Sequence, residues 1–536
     1  MAKDSELNTT PPLARGPLAA IVAAKLGLHL YSSGVVAYGY QADELYYLAC
    51  ARRLDWGYVD HPPLSVALLR GVTALLGDSL FAIELLPALA GAATLVVIAQ
   101  LARELGGGRG AQVCAATAGL FSLVYLVMGS FHSMNAYEPL LFALGYLLLL
   151  RILHGASPTL WLALGAVVGL GLLNKYSMGL FAVGLGVGLA VTPARRQLGT
   201  RWPWLGACVA AALFLPHLVW LVQHDFVSFE FLRAMQEYSA EPVSLREFAG
   251  GQLFAMSPVA APLWIGGLCY GLFSTTLREA RPAFWIFLVA FALLAASGSA
   301  QLYYLGPAYP IVLAAGGVAV ERLAARRRWP WLPHATCAAL VLGGAPLLPI
   351  ALPLLPPETF VAYDRVLTGD ERTQRTDFDS ELPGHFALRF GWPELAQAVA
   401  AARDSLPSEE REHISVLAPS FGEAAAIDFF GPALGLPPAI GTHNQYGLWG
   451  PEAAGGALLL VIADERNPRI AHQDVPLGFR RGDTPRELAS LCTAVERLAS
   501  VECRFCPPYM ARKAVFACRD LRHSLAEIWS ELRDNL

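Results

Sequence analysis

Long apolar runs constrain this 536-residue chain more than any other feature. A bilayer core about 30 Å thick needs roughly 20 apolar residues per helix. Runs of that kind occupy 17–37, 80–101, 111–130, 136–153, 158–173, 177–192, 203–222, 258–275, 282–298, 303–321 and 333–355. In hydrocarbon every backbone polar group must be satisfied within the protein, so such runs form helices. The sequence therefore predicts an α-helical polytopic membrane protein with about 11 transmembrane helices. Charge agrees, since only 15% of residues are charged, against about 25% in soluble domains. A net charge of −4 says nothing about nucleic acid, and no basic tract suggests it as a partner. The polar N-terminus, with no small-residue cleavage site behind a short apolar core, reads as a cytoplasmic lead-in to a retained helix.

Lysine and arginine in the loops set the orientation. Lys3 and Arg15, Arg103 and Arg109, Arg151, Arg195, Arg196 and Arg201, Arg278 and Arg281, and Arg322 with Arg326–Arg328 all fall on one side when the spans alternate from a cytoplasmic N-terminus. The opposite, extracytoplasmic side receives loop 38–79, the 130–136 and 174–176 turns, loop 223–257, residues 301–303 and the tail. The localisation expected is an inner-membrane protein with an extracytoplasmic C-terminal domain.

From about Pro357 the apolar runs shorten and charge becomes common, which divides the chain into a membrane module, 1–356, and a soluble α/β domain, 357–536. HISVLAP (413–419), GALLLVIA (456–463) and AVFACRD (514–520) read as buried strands. FGEAAAIDFFGPAL and TPRELASLCTAVERLAS read as helices. Cys114, Cys208, Cys269 and Cys337 lie in or beside apolar segments as small core residues, while Cys50 falls in the first loop. Cys492, Cys503, Cys506 and Cys518 cluster near the C-terminus, where an extracytoplasmic setting makes disulfides plausible. A single Cys-x-x-Cys is a weak signal for zinc. No cofactor is implied, and the metal requirement stays open.

The densest polar patch follows the first span directly: YGYQADELYYLACARRLDWGYVDHPPLSVALLR, residues 38–70. Charges at a membrane boundary are costly unless paired. Asp43 and Glu44 are adjacent acids that suit a base, a metal site or plain interfacial charge. Tyr46, Tyr47, Trp56 and Tyr58 form an aromatic belt, and 45–54 is expected to lie as an amphipathic helix on the membrane surface. Arg52 and Arg53 sit against the charge bias of their side. Asp60 and His61 precede two prolines that fix the backbone, and a histidine there can contact a phosphate. Glu138 opens a predicted helix in NAYEPL, where the dipole alone favours an acid. Lys175, in GLLNKYS, reads as a snorkelling anchor or a ligand for a lipid phosphate. Lys25 and His217, inside apolar spans, read as structural. In the tail, Thr442–Tyr446 and Trp449 suit carbohydrate binding or a packing turn equally.

The ordered set YxxDELYYLA, DHPPL, NAYEPL, GLLNKYS, AQLYYLGPAYP, FGEAAAIDFFG and GTHNQYGLWGP resembles bacterial members of glycosyltransferase family 39, relatives of the dolichyl-phosphate-mannose protein mannosyltransferases and the lipid A aminoarabinose transferase. Phe421 stands where that pattern has tyrosine. The resemblance runs nearly the whole length and implies a GT-C fold that moves a sugar, with inversion, from a polyprenyl-phosphate donor to a protein, lipid or glycan acceptor. It implies Asp43 as general base with Glu44 completing the pair, and Glu138 as a second acid. It further implies Lys175 and His61 near the donor phosphate, and Arg52, Arg53, Asp60, Tyr303 and Tyr304 are further candidates for binding the substrates. A competing class is a transporter or flippase, for which intramembrane charge is the usual device; here the polar residues gather in outer loops and helix mouths, with no half-to-half symmetry. A third, a non-catalytic membrane anchor for the tail, leaves the loop chemistry unexplained.

Overall fold

The computed structural model describes residues 11–238, 243–369, 380–451, 458–466, 469–470 and 486–532. The chain forms two compact units. One comprises residues 1–35, 81–219 and 241–354; the other comprises 36–80, 220–240 and 355–536. The polar loop after the first span thus belongs to the unit built mainly from the tail.

The first unit is helical. Among the described residues five helices are long and apolar enough to cross a membrane: Arg15–Val36, Leu80–Glu104, Met134–Leu153, Trp202–Gln223 and Leu332–Ala351. Three bent pairs raise the number to eight if each is one span, with Leu160–Asn174 and Arg281–Ser297 as shorter apolar helices. The expected 11 spans are not all continuous helices: 111–130, for example, divides into Arg109–Leu120 and Leu123–Met128. Proline placement explains many helix starts. Pro139, Pro282 and the Pro310 helix each use a first turn, where the missing N–H costs nothing. Small residues set the closest packing. A side chain at Gly165 would collide with the Gly206 carbonyl, and one at Gly206 with Trp161, so these backbones approach as membrane helices do in the absence of a hydrophobic drive between them. Lys25, fully buried, donates to the Tyr125 carbonyl at 2.9 Å, the structural role its position suggested.

The second unit centres on a five-stranded mixed sheet. Its strands are β1 (Ile414–Ala418), β2 (Ala439–Gly441), β3 (Leu458–Asp464), β6 (Cys492–Ser500) and β7 (Lys513–Leu521), with β4 (Arg469–Ile470) and β5 (Arg486–Glu487) pairing apart. The order is β2-β1-β3-β7-β6. β1 is parallel to both neighbours, with Val416 opposite Ala439 and Leu460; β7 runs antiparallel to β3 and β6. The inner strands are nearly continuous apolar runs, as a sheet covered on both faces requires. Cys492–Cys518 ties β6 to β7, and Cys503–Cys506 closes a short loop.

Two expectations need correction here. The 484–500 stretch is a short helix, Leu488–Leu491, followed by β6, and not one helix. Residues 484 and 485 lie outside the described residues. The ladder to β7 and the Cys492–Cys518 bond outweigh a local composition that suits a helix. The second concerns the first loop. Its helix, Ala42–Arg52, does not present an apolar face outward, since nine of its eleven residues are buried. It packs on the tail helix Phe421–Phe430, where Gly422 leaves room for Ala42.

Candidate active site

The residues singled out by the sequence divide between the units. Glu138, Lys175, Tyr303 and Tyr304 stand in the first; Asp43, Glu44, Arg52, Arg53, Asp60 and His61 stand in the second.

In the first unit the turn at 174–177 joins two helices, Leu160–Asn174 and Met178–Ala190, and is pinned residue by residue. Asn174 donates to the Met134 carbonyl at 2.8 Å. The Lys175 ammonium donates to Asn135 Oδ1 at 2.7 Å and to Glu138 Oε2 at 3.2 Å. Ser177 donates to the other Glu138 oxygen, and the Tyr176 hydroxyl hydrogen-bonds His217 Nε2 at 2.7 Å. Tyr303 and Tyr304 offer ring faces to the same ammonium, with centroids at 5.6 and 4.7 Å. Glu138, at the head of its helix and 2% exposed, meets the helix dipole, a cation and a hydroxyl together. Asn135 and Ser177 complete the cluster; both lie within the NAYEPL and GLLNKYS motifs, so their neighbours in sequence were the available signal.

In the second unit the loop helix begins with a capping box. Gln41 accepts from the Asp43 N–H, and Glu44 returns to the Gln41 N–H at 2.9 Å. Glu44 is therefore occupied in the fold, fully buried, while Asp43 beside it makes no such bond through its side chain among the described residues. Burial, reinforced by the charge of Asp60, raises the Asp43 carboxyl to about 6. Asp60 accepts from Tyr46 at 2.7 Å, and the Gln445 N–H donates to that tyrosine oxygen at 3.2 Å. Gln445 Oε1 in turn accepts from the Val59 N–H at 3.0 Å. The GTHNQYG segment thus braces the first loop. His61 is completely buried, stacked on Tyr47 at 4.4 Å, with Nε2 3.8 Å from Asp60; its ring is enclosed among aromatics. Arg52, half exposed, donates to the Asp428 carbonyl at 2.9 Å. Arg53 lies over the Trp449 ring at 4.5 Å. Among the described residues no group of three or more His, Cys, Asp and Glu could hold a metal ion.

A carboxyl raised to about 6 loses its base function as the pH falls through that value. Removing the Asp60 charge with Asp60→Asn keeps an acceptor for Tyr46 and should move the acidic limb of any Asp43-dependent rate to lower pH. A pH–rate profile whose limb stays in place would show that the two carboxyls do not interact.

The long and bent apolar spans of the helical unit make the chain an integral membrane protein, and its fold is of the GT-C type. Residues 60–220 match the family model described as dolichyl-phosphate-mannose-protein mannosyltransferase. The chain is 28% identical, over 233 residues, to the lipid A galacturonosyltransferase RgtD of Rhizobium johnstonii; the match covers 41% of this chain and 48% of that protein, about half its length. Among solved structures it resembles ArnT from Cupriavidus metallidurans bound to undecaprenyl phosphate, with a TM-score of 0.60, 16% identity and 93% and 97% of the two chains covered. It also resembles the oligosaccharyltransferase AglB from Archaeoglobus fulgidus in complex with an inhibitory peptide and a dolichol-phosphate, at TM-score 0.51, 12% identity and 84% and 69% coverage.

Proposed function

We propose that this protein is a membrane glycosyltransferase that moves a sugar from a polyprenyl-phosphate donor to a hydroxyl acceptor on the extracytoplasmic side, with inversion. The observation that carries the reading is the Asp43 carboxyl, raised to about 6 by burial and by Asp60. A base of that strength is ionised at neutral pH yet basic enough to take a hydroxyl proton in the transition state. The acceptor oxygen forms its bond to the anomeric carbon as its proton passes to Asp43. The bond from that carbon to the phosphate oxygen breaks, and its electron pair leaves with the lipid phosphate. A single displacement inverts the anomeric centre.

The departing phosphate gains negative charge, which a fixed cation stabilises. Lys175 is that cation in this reading. Asn135 and Glu138 aim it, and the rings of Tyr303 and Tyr304 border it. Glu138 serves it as a positioning residue. Arg52 and Arg53 are the further cations available to an anionic substrate. The names of the relatives suggest the first substrates to supply: undecaprenyl-phosphate-linked galacturonate as donor and lipid A as acceptor.

The deciding experiment follows release of labelled galacturonate from the lipid by purified protein with lipid A present. Sugar-specific, protein-dependent transfer to lipid A supports the reading. Binding of the lipid-linked sugar without transfer to lipid A or to water, across a panel of polyprenyl-phosphate sugars, would refute it. Two disulfides in the tail suit an oxidising compartment. A topology reporter fused after Asp520 should accordingly score as extracytoplasmic; a cytoplasmic score would overturn the orientation.

A further inference from the structure

Asn444 opens the short helix Asn444–Trp449 with φ at 52°, a left-handed conformation that asparagine takes more readily than other non-glycine residues and glycine takes freely. It is 4% exposed, and its Oδ1 is buried without a hydrogen-bond partner among the described residues. A buried acceptor left unmade costs about 1–3 kcal/mol, and glycine at this position would avoid that cost. A side chain kept against that penalty calls for a ligand.

The surroundings show which kind. Asn444 directly precedes Gln445, whose N–H and side chain hold Tyr46 and Val59 in the loop that carries Asp43 and Asp60. On its other flank the His443 ring meets Phe421 at 5.3 Å, and Phe421 meets Tyr46 at 4.9 Å. Phe421 and His443 both keep part of their surface open. His61 Nε2, in the same cluster, is likewise buried without a hydrogen-bond partner. An unpaired amide oxygen and, on the residue before it, a ring that meets Phe421 suit a pyranose, which presents an apolar face of C–H groups and a rim of hydroxyl donors.

We infer that Asn444 accepts a hydrogen bond from a sugar hydroxyl, forming with Phe421 and His443 a sugar-binding subsite in the tail domain next to the Asp43 loop. The inference rests on the glycosyltransferase reading. The sugar belongs to the donor or to a glycan acceptor, which share this chemistry.

Asn444→Gly in the full-length protein is the informative variant. Glycine takes the left-handed backbone freely, so its Tm should equal or exceed that of the wild type and a folding defect is excluded. Three probes are used: undecaprenyl phosphate without sugar, undecaprenyl-phosphate galacturonate, and lipid A. About tenfold weaker binding of the sugar-linked lipid, with the bare lipid bound as before, assigns Asn444 to the donor sugar. Unchanged donor binding with the lipid A KM raised about tenfold assigns it to the acceptor. Donor affinity and acceptor KM both at wild-type values overturn the subsite. A wild type that neither binds nor cleaves the sugar-linked lipid removes the glycosyltransferase reading itself, and the inference with it.

Discussion

Asp43→Asn should abolish sugar transfer, by about 10³-fold or more, and at the same time make the protein more stable. The first half follows from general-base catalysis, which contributes typically about 10²–10⁴-fold; an amide cannot take the proton. The second follows from the cost of the native carboxylate. The folded state raises Asp43 from 3.8 to about 6, so between those values the folded protein binds more protons than the unfolded chain. This group's contribution is therefore most favourable below 3.8. It declines as the pH rises through 6, and at neutral pH the ionised side chain is a net burden. Asparagine is nearly isosteric and uncharged, and should recover on the order of 1–2 kcal/mol at pH 7 and almost nothing at pH 4. Transfer assays and thermal unfolding at the two pH values test both halves. Wild-type turnover in the variant removes Asp43 as base. Loss of turnover with lowered stability would make the residue structural.

Much of this architecture is legible in the sequence, for reasons that also mark the limits. Spans such as Leu80–Glu104 and Trp202–Gln223 are visible because burial in lipid demands an uninterrupted apolar run. β1, β3 and β7 are visible because buried inner strands are short apolar runs as well. β6 is not: its CTAVERLAS carries helix-forming residues, and its strand state rests on pairing with a segment about twenty residues downstream. Burial of the loop helix was equally out of reach. What covers it lies nearly 400 residues away, as the Tyr46–Gln445 and Val59–Gln445 bonds show, and no local pattern encodes such a partner. Charge marked Asp43, Glu138 and Lys175. The uncharged groups that hold Glu138 and Lys175, Asn135 and Ser177, carry no such mark, because amides and hydroxyls are common in any turn and gain meaning only from geometry.

Lys175→Ala is the variant expected to act most strongly on the donor. In the folded protein the ammonium has two defined partners, Asn135 and Glu138, and two tyrosine rings beside it. That arrangement fixes a flexible side chain in advance, so little rotamer entropy remains to be lost when an anion arrives. A charge-assisted bond to a phosphate is worth about 1.5–3 kcal/mol, which corresponds to a loss of about 10- to 100-fold in affinity for undecaprenyl phosphate, sugar-linked or bare. Acceptor binding should hardly change. The substitution also leaves Glu138 buried without its cation, and Lys175→Ala paired with Glu138→Gln separates the two consequences. If Lys175 only neutralises Glu138, the double variant regains both stability and donor affinity, and the phosphate role falls. If Lys175 meets the phosphate itself, stability returns while the bare lipid phosphate still binds weakly, because neither the alanine nor the glutamine supplies a positive charge.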